Sequence, residues 1–512
     1  MMYNSILKEE KCIKNHEGVK AYAMSPELEL YTAVVTASLS DTNYEKQDER
    51  VERIARLIGK VSPEFVARLA VYTRTEMHLR SIPLLLLVEL AKVHNGDDLV
   101  ARAVEKTVLR ADEIMELLIC YQWRNPSSDP HKKLGKLSRQ IQNGLQGAFN
   151  RFDEYQFAKY DRDNLEVKLR DALFLVHPKA KDEQQQALFD KIVNRQLETP
   201  YTWETELSAL GQQKYESDEQ KRQAFGEKWE ELIESDKLGY MALMRNLRNM
   251  LQSDVSLPQM MNVASRLSNA EQVEKSKQLP FRYLSAYREI EKVDNVHTAM
   301  LLTALENAVK ASAQNIEGFD ANTKVLVAAD VSGSMQQPVS KKSTVQNYDI
   351  AILLSMLLKS KCKSVVSGMF GDTWKVMNLH QDNILANTLE MHRREGEVGY
   401  CTNGYKVIEW LIKKKMPMDK VMIFTDCQMW DSDHNYLGYK EKEIKDSWHT
   451  YKSMFPEAKL YLFDLAGYGQ MPLSLAEKDV YLIAGWSDRI FEVLSAIDNG
   501  EDALSVINNI DV

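Results

Sequence analysis

Hydrophobic positions over the first 317 residues recur at three- and four-residue spacing, the period of a helix with one buried face. Residues 27–38, 50–59, 63–76, 83–92 and 99–109 carry the pattern. It resumes at 166–176, 183–195, 221–234, 240–251 and 297–313. Breaks such as Ser62-Pro63 and Asn95-Gly96-Asp97-Asp98 supply N-caps and a first-turn proline. Amphipathic helices in such a series bury their faces most economically as stacked pairs, so the pattern predicts an all-helical repeat array.

Past Asp320 the periodicity changes. KVLVAAD (324–330), 364–370, 374–379, VMIFT (421–425), LYLFDL (460–465) and VYLIA (480–484) are short apolar, β-branched or aromatic runs. Helical patterns at 348–361, 384–394, 404–415 and 489–498 alternate with them. Continuous apolar strands separated by helices predict a mostly parallel, doubly wound sheet. The fold expected is therefore α plus α/β, with domains at 1–320 and 321–512 and the boundary inside NIEGFDANT (315–323).

Composition changes this picture little. The 512 residues are 44% hydrophobic and 27% charged, with a formal net charge of −9. A mildly acidic chain gives no global argument for nucleic acid, and DNA is not expected. Five scattered cysteines suit neither a zinc site nor a disulfide framework. Residues 1–14 lack the apolar run of a signal peptide, and the most apolar stretch, 82–90, is too short to span a bilayer. A cytoplasmic protein without membrane contact is expected.

Two predicted strands end in aspartate, giving Asp330-Val331-Ser332-Gly333-Ser334 and Thr425-Asp426, and a loop at 399–403 places Thr402 just before a helix. Open α/β sheets bind ligands beyond the carboxyl ends of their strands. Asp330, Ser332, Ser334, Thr402 and Asp426 form an all-oxygen set that suits a hard cation, Mg²⁺ first, then Mn²⁺ or Ca²⁺. With few charged ligands the ion stays electrophilic, so a partner's carboxylate or phosphate could complete its shell. The bland alternative is that Asp330 and Ser332 cap the following turn.

From Lys132 to Lys181 there are 11 Lys/Arg against 6 Asp/Glu, interleaved with Tyr155, Phe157 and Tyr160. Phosphates attract cations, and unpaired bases stack on flat side chains. The competing reading is a solvated helix face.

DVSGSM (330–335), Thr402 and FTD (424–426) resemble the three ligand loops of the von Willebrand factor A domain and its metal-ion-dependent adhesion site. Six further phrases resemble the TROVE module of the Ro ribonucleoprotein autoantigen family, bacterial members included: RTEMHLRSIPLLLLVELA (74–91), FDEYQFAKYDR (152–162), VKLRDALFLVHPK (167–179), TWETELSALG (202–211), YMALMRNLRNML (240–251) and LPFRYLSAYR (279–288). The resemblance implies a ring of HEAT-like helical repeats closed by the A domain. It implies binding of small noncoding Y-like RNAs on an outer face, and of single-stranded ends of misfolded RNAs through the central hole. An exoribonuclease is a further partner it implies. The outer contacts map onto Lys168, Arg170, His177 and Lys179, and an inner role onto Arg245 and Arg248. His177 as a satisfied buried histidine, and the arginines as partners of nearby acids, stay open as alternatives. For Arg80 a structural role is favoured.

No Gly-x4-Gly-Lys-Ser/Thr loop, Gly-x-Gly-x-x-Gly or His-Glu-x-x-His occurs, and no general base accompanies the metal set. A noncatalytic RNA-quality-control scaffold is therefore expected. The alternatives are a metal-dependent protein-binding scaffold without RNA, and a metal-assisted phosphoryl-transfer enzyme.

Overall fold

The computed structural model describes residues 12–37, 44–127, 136–312, 322–339, 343–380, 382–433, 442–485, 490–501 and 504–512. Lys132, Lys133 and the boundary at residue 320 fall outside them, as does most of 315–323. The described chain forms two compact units. One is Arg50–Thr205 with Leu504–Val512; the other is Met1–Glu49 with Glu206–Ala503.

The first of these is helical. Ser62 caps the Pro63–Thr75 helix by accepting Phe65 N–H at 3.2 Å, with proline in the first turn. Ser81–Val93 is buried from Ile82 through Leu90, the central helix that its leucine run suggests. Successive helices pack on their next-but-one neighbours along the middle of this unit. Pro63–Thr75 meets Leu99–Thr107, Ser81–Val93 meets Ala111–Arg124, and Leu99–Thr107 meets Arg139–Phe149. That is the stacking of a helical repeat. The Ala111–Arg124 and Arg139–Phe149 helices lie outside the segments that periodicity marks as helical. The short helix Ser505–Asn508 packs on Pro63–Thr75.

The second unit contains further helices and the sheet. Its first elements correct the expectation that all structure before residue 317 is helical. Strands β1 (Cys12–Lys14) and β2 (Lys20–Ala23) form an antiparallel hairpin. The expected helix at 240–251 is also corrected. It is two helices, Tyr240–Arg245 and Leu247–Gln252, parted at Asn246. Asn246 is buried and its amide donates to Ala242 O at 2.8 Å, which competes with helix continuation.

Strands β3 (Lys324–Asp330), β4 (Ser364–Phe370), β5 (Trp374–Val376), β6 (Lys420–Thr425), β7 (Lys459–Asp464) and β9 (Val480–Ala484) make one six-stranded sheet in the order β5-β4-β3-β6-β7-β9. All neighbours are parallel except β4 and β5. Strand β8 (Gln470–Met471) leaves this sheet and pairs with β2. The Asn347–Lys361 helix, buried along almost its whole length, packs on β3, β4 and β6. The chain leaves β3 toward β4 on one side and returns to β6 on the other. The carboxyl ends of β3 and β6 are thus the switch point of the sheet, where such folds leave a crevice.

Candidate metal centre and nucleic-acid interface

Asp330 closes β3 and Asp426 follows β6, so register alone brings the two aspartates to one edge. Both are essentially fully buried, as are Ser332, Ser334 and Thr402. Asp330 Oδ1 accepts Ser332 N–H at 2.9 Å and its Oδ2 accepts the Thr425 hydroxyl at 2.7 Å. Ser332 and Ser334 hydroxyls lie 3.3 Å apart. Asp426 Oδ1 accepts Gln428 N–H at 3.0 Å, whereas its Oδ2 is buried without a hydrogen-bond partner among the described residues. The turn-capping role weighed for Asp330 and Ser332 is therefore present, but it leaves this oxygen unexplained.

The loop bearing Thr402 is tied to the first loop by Gly333 N–H donating to Tyr400 O at 3.0 Å. Asp372 holds it from below, accepting Cys401 N–H at 2.7 Å, and Asn403 donates to Asp372 O at 3.1 Å. Gly371 lies so close that a Cβ there would stand 2.1 Å from Gly399 O. Thr425, Gln428 and Asp372 had not been singled out from the sequence. Of these, Thr425 was the most legible, since it adjoins a candidate ligand.

Burial pushes Asp330 up to about 7, and the charge of Asp426 adds to it. Burial raises Asp426 to about 6, against the lowering influence of Ser334 and the Gln428 N–H. Two buried carboxylates, two serine hydroxyls and an unpartnered carboxylate oxygen are the donor chemistry of a hard divalent cation. Among the described residues no cluster of three or more His, Cys, Asp or Glu side chains offers a different type of centre.

The basic candidates fall into two sets. In the helical unit, the Leu169–Val176 helix buries Leu169, Ala172, Leu173 and Val176. It ends at His177 in the left-handed conformation, φ +50°. Gln146 donates to His177 O at 3.1 Å and Asn150 to Lys179 O at 2.8 Å, so the backbone is fixed while both side chains are exposed. His177 is thus a surface residue; the buried alternative is corrected. Lys168 pairs with Asp163 at 3.3 Å. Arg170 lies over the ring of Phe174, 5.6 Å from its centroid, and Phe174 is 47% exposed. Phe174 was missed because its place in the 3.6-residue pattern resembles a core position. Of the aromatics expected to stack on bases, Phe157 is instead core, packed with Phe149 and Phe152. Tyr160 is held by Arg110 at 2.8 Å, and Tyr155 remains 48% exposed. Arg80 is bound by Asp112 at 2.6 Å and Glu116 at 2.8 Å, the structural role favoured for it.

In the sheet-bearing unit, Arg245 and Arg248 are exposed on the two helices flanking Asn246, not on one helix. Neighbouring atoms crowd Arg282, and Arg245 adds a like charge; both disfavour its charged form. Arg248 pairs with Glu289 at 3.2 Å beside a cleft of about 600 Å³ also lined by Lys292 and Asp294.

Residues 27–226 and 193–348 match the TROVE domain family, and residues 324–492 match the Ro60 vWA domain. The chain belongs to the TROVE family. Its C-terminal part is accordingly a von Willebrand A domain of the Ro60 type. Its fold is similar to that of the crystal structure of the Deinococcus radiodurans RO (RSR) protein, at TM-score 0.58 and 17% identity, covering 93% of this chain and 100% of that one. A stretch of 98 residues is 38% identical to telomerase protein component 1 of Mus musculus and 36% identical to that of Rattus norvegicus. It is 19% of this TROVE chain and spans only 3% of those proteins' length.

Proposed function

We propose that this TROVE protein binds small, structured Y-like RNAs and the single-stranded ends of misfolded RNAs, as a noncatalytic scaffold for RNA quality control in the cytoplasm. The observation that carries this reading is the surface around the Leu169–Val176 helix. There Arg170 lies over an exposed Phe174, and Lys168, His177 and Lys179 stand at the ends of the same helix and just beyond it, joining phosphate-binding cations to a stacking face. The ion pair from Lys168 to Asp163 is exposed and contributes little, so phosphate can replace it. Arg245, Arg248 and Arg282 form a second basic set on the other unit, assigned to single-stranded ends. An exoribonuclease would act on RNA this protein presents. The unbridged state of all five cysteines supports a reducing compartment.

Within the same reading, Asp330, Ser332, Ser334, Thr402 and Asp426 hold a divalent cation, Mg²⁺ before Mn²⁺ or Ca²⁺. The unpartnered Asp426 Oδ2 supports this assignment. When bound, the cation supplies an electrophilic position for an acidic or phosphate group of a partner.

Filter binding with a blunt stem-loop RNA and the same RNA bearing a free 3′ tail tests the two-site reading. An Arg245→Ala/Arg248→Ala variant should lose affinity for the tailed RNA and keep it for the blunt one. Equal losses on both would reduce the two sites to one surface. Sequencing of RNA cross-linked to the protein in cells should return small structured noncoding RNAs; messenger RNA alone would overturn the assignment.

A further inference from the structure

The turn between β1 and β2 lies on the third ligand loop of the metal centre. Asn15 Nδ2 donates to Met429 O at 3.1 Å, and His16 N–H donates to Gln428 Oε1 at 2.9 Å. Gln428 is the residue whose own N–H holds Asp426 Oδ1. Two bonds therefore fix the hairpin tip to the loop that presents Asp426. Asn15 also shapes the tip. Its Oδ1 accepts Val19 N–H at 2.9 Å and its carbonyl accepts Gly18 N–H at 3.0 Å, with Gly18 at φ +79°. Glu17 is left at the apex.

Glu17 does not stand alone in solvent there. The Tyr44 hydroxyl donates to Glu17 Oε1, and the same hydroxyl lies within hydrogen-bonding influence of Ser334 and close to Asp426. Tyr44 is itself held in place. It stacks on His16 at 5.0 Å between centroids, and Tyr468 meets both rings edge-on at 5.4 Å. Most glutamates at exposed turns are simply solvated. This one is held by an ordered frame beside the loop that presents the buried Asp426. An acidic side chain beside a loop that carries a buried carboxylate is unfavourable by itself and becomes favourable when a divalent cation lies between them.

We propose that Glu17 is the chain's own acidic ligand for this centre, closing the outward side of the cation's shell through Oε2 while Tyr44 holds Oε1. The inference rests on the metal reading above. It gives the hairpin a role: a partner's acidic group must displace Glu17 to reach the cation, so the site is guarded by a segment more than 300 residues away in sequence.

The test uses the full chain and Mn²⁺, read by calorimetry and by water-proton relaxation. Glu17→Gln should weaken Mn²⁺ binding about tenfold and raise the relaxivity of the complex, because water takes the vacated position. Acetate should restore the affinity of Glu17→Gln and leave the wild type unaffected. Asp426→Asn should abolish binding. If Glu17→Gln matches the wild type in affinity and relaxivity while Asp426→Asn abolishes binding, the metal reading stands and Glu17 is not a ligand. If the wild type binds no Mn²⁺, both fall.

Discussion

Asp330 and Asp426 oppose each other in a buried place, so one substitution should act with opposite signs in two conditions. Asp426→Asn removes a like charge while nearly preserving shape. In chelator the variant should be more stable than the wild type by about 1–3 kcal/mol, and it should lose the stabilisation that millimolar Mg²⁺ gives the wild type. Thermal melts with and without Mg²⁺ measure both; an unchanged Mg²⁺ response would remove Asp426 from the ligand set. Asp349 is the contrasting case. It is buried, with Arg288 at 2.5 Å and His392 at 2.8 Å. Burial would raise its pKa, but the bonds from His392 and Arg288 outweigh burial and hold it below the ordinary value. The folded state thus favours the carboxylate more than the unfolded state does. Its contribution is full above the unfolded pKa near ~4 and is lost as pH falls through the lower folded value. Asp349→Asn should cost about 3–5 kcal/mol at neutral pH, and the gap in melting temperature should narrow in acid. A gap that stays constant down to acid pH would show that the ion pair contributes nothing. Ligand candidates such as Asp330 were legible because they sit at the ends of apolar runs. Glu17 was not, since nothing near it in the chain signals a site.

Helices and strands were legible where the pattern is local. The apolar runs at 324–330, 364–370 and 480–484 coincide with β3, β4 and β9. The β1–β2 hairpin escaped because its short strands pair onward to β8, far along the chain. The break at Asn246 escaped because a side-chain bond, not a change in periodicity, ends the helix there. Two substitutions test elements. His177 caps its helix in the left-handed region, where a Cβ is unfavourable by roughly 1–2 kcal/mol. His177→Gly should therefore leave stability unchanged or slightly higher, yet weaken stem-loop RNA binding severalfold. A loss of stability with intact RNA affinity would make His177 structural. Gly371→Ala would drive a methyl into Gly399 O, separating the loops around Thr402. A loss of about 3 kcal/mol in denaturant unfolding is expected, with weaker Mn²⁺ binding; a silent substitution would show that these loops are loosely joined.

Over the whole molecule the charge balance is −9, so attraction to RNA must come from local patches against a repelling average. Ala at Lys168, Arg170 and Lys179 together should lower the log–log salt slope of stem-loop binding by about 0.7–0.9 for each phosphate that is no longer neutralised. An unchanged slope would mean that none of the three touches phosphate. A free 3′ tail should raise wild-type affinity at least about tenfold, roughly 1.4 kcal/mol. That the two basic sets belong to different compact units was not legible in the sequence. Domain edges in this chain follow long-range packing, which leaves no mark in composition.

Strand β2 pairs with β8, so residues 20–23 wait for residues 470–471. During synthesis at ~5–20 residues per second that delay is roughly 20–90 s. Over that interval the growing chain has Asp330 and, later, Asp426, but not the strand that seats the hairpin. The helical unit has the same property, because Ser505–Asn508 arrives long after the Pro63–Thr75 helix it covers. Each unit is therefore finished by a segment made more than 400 residues after the element it packs on. Incomplete chains would expose open metal loops and a bare helix face, and so would differ from full-length molecules in their reactivity toward chaperones and proteases.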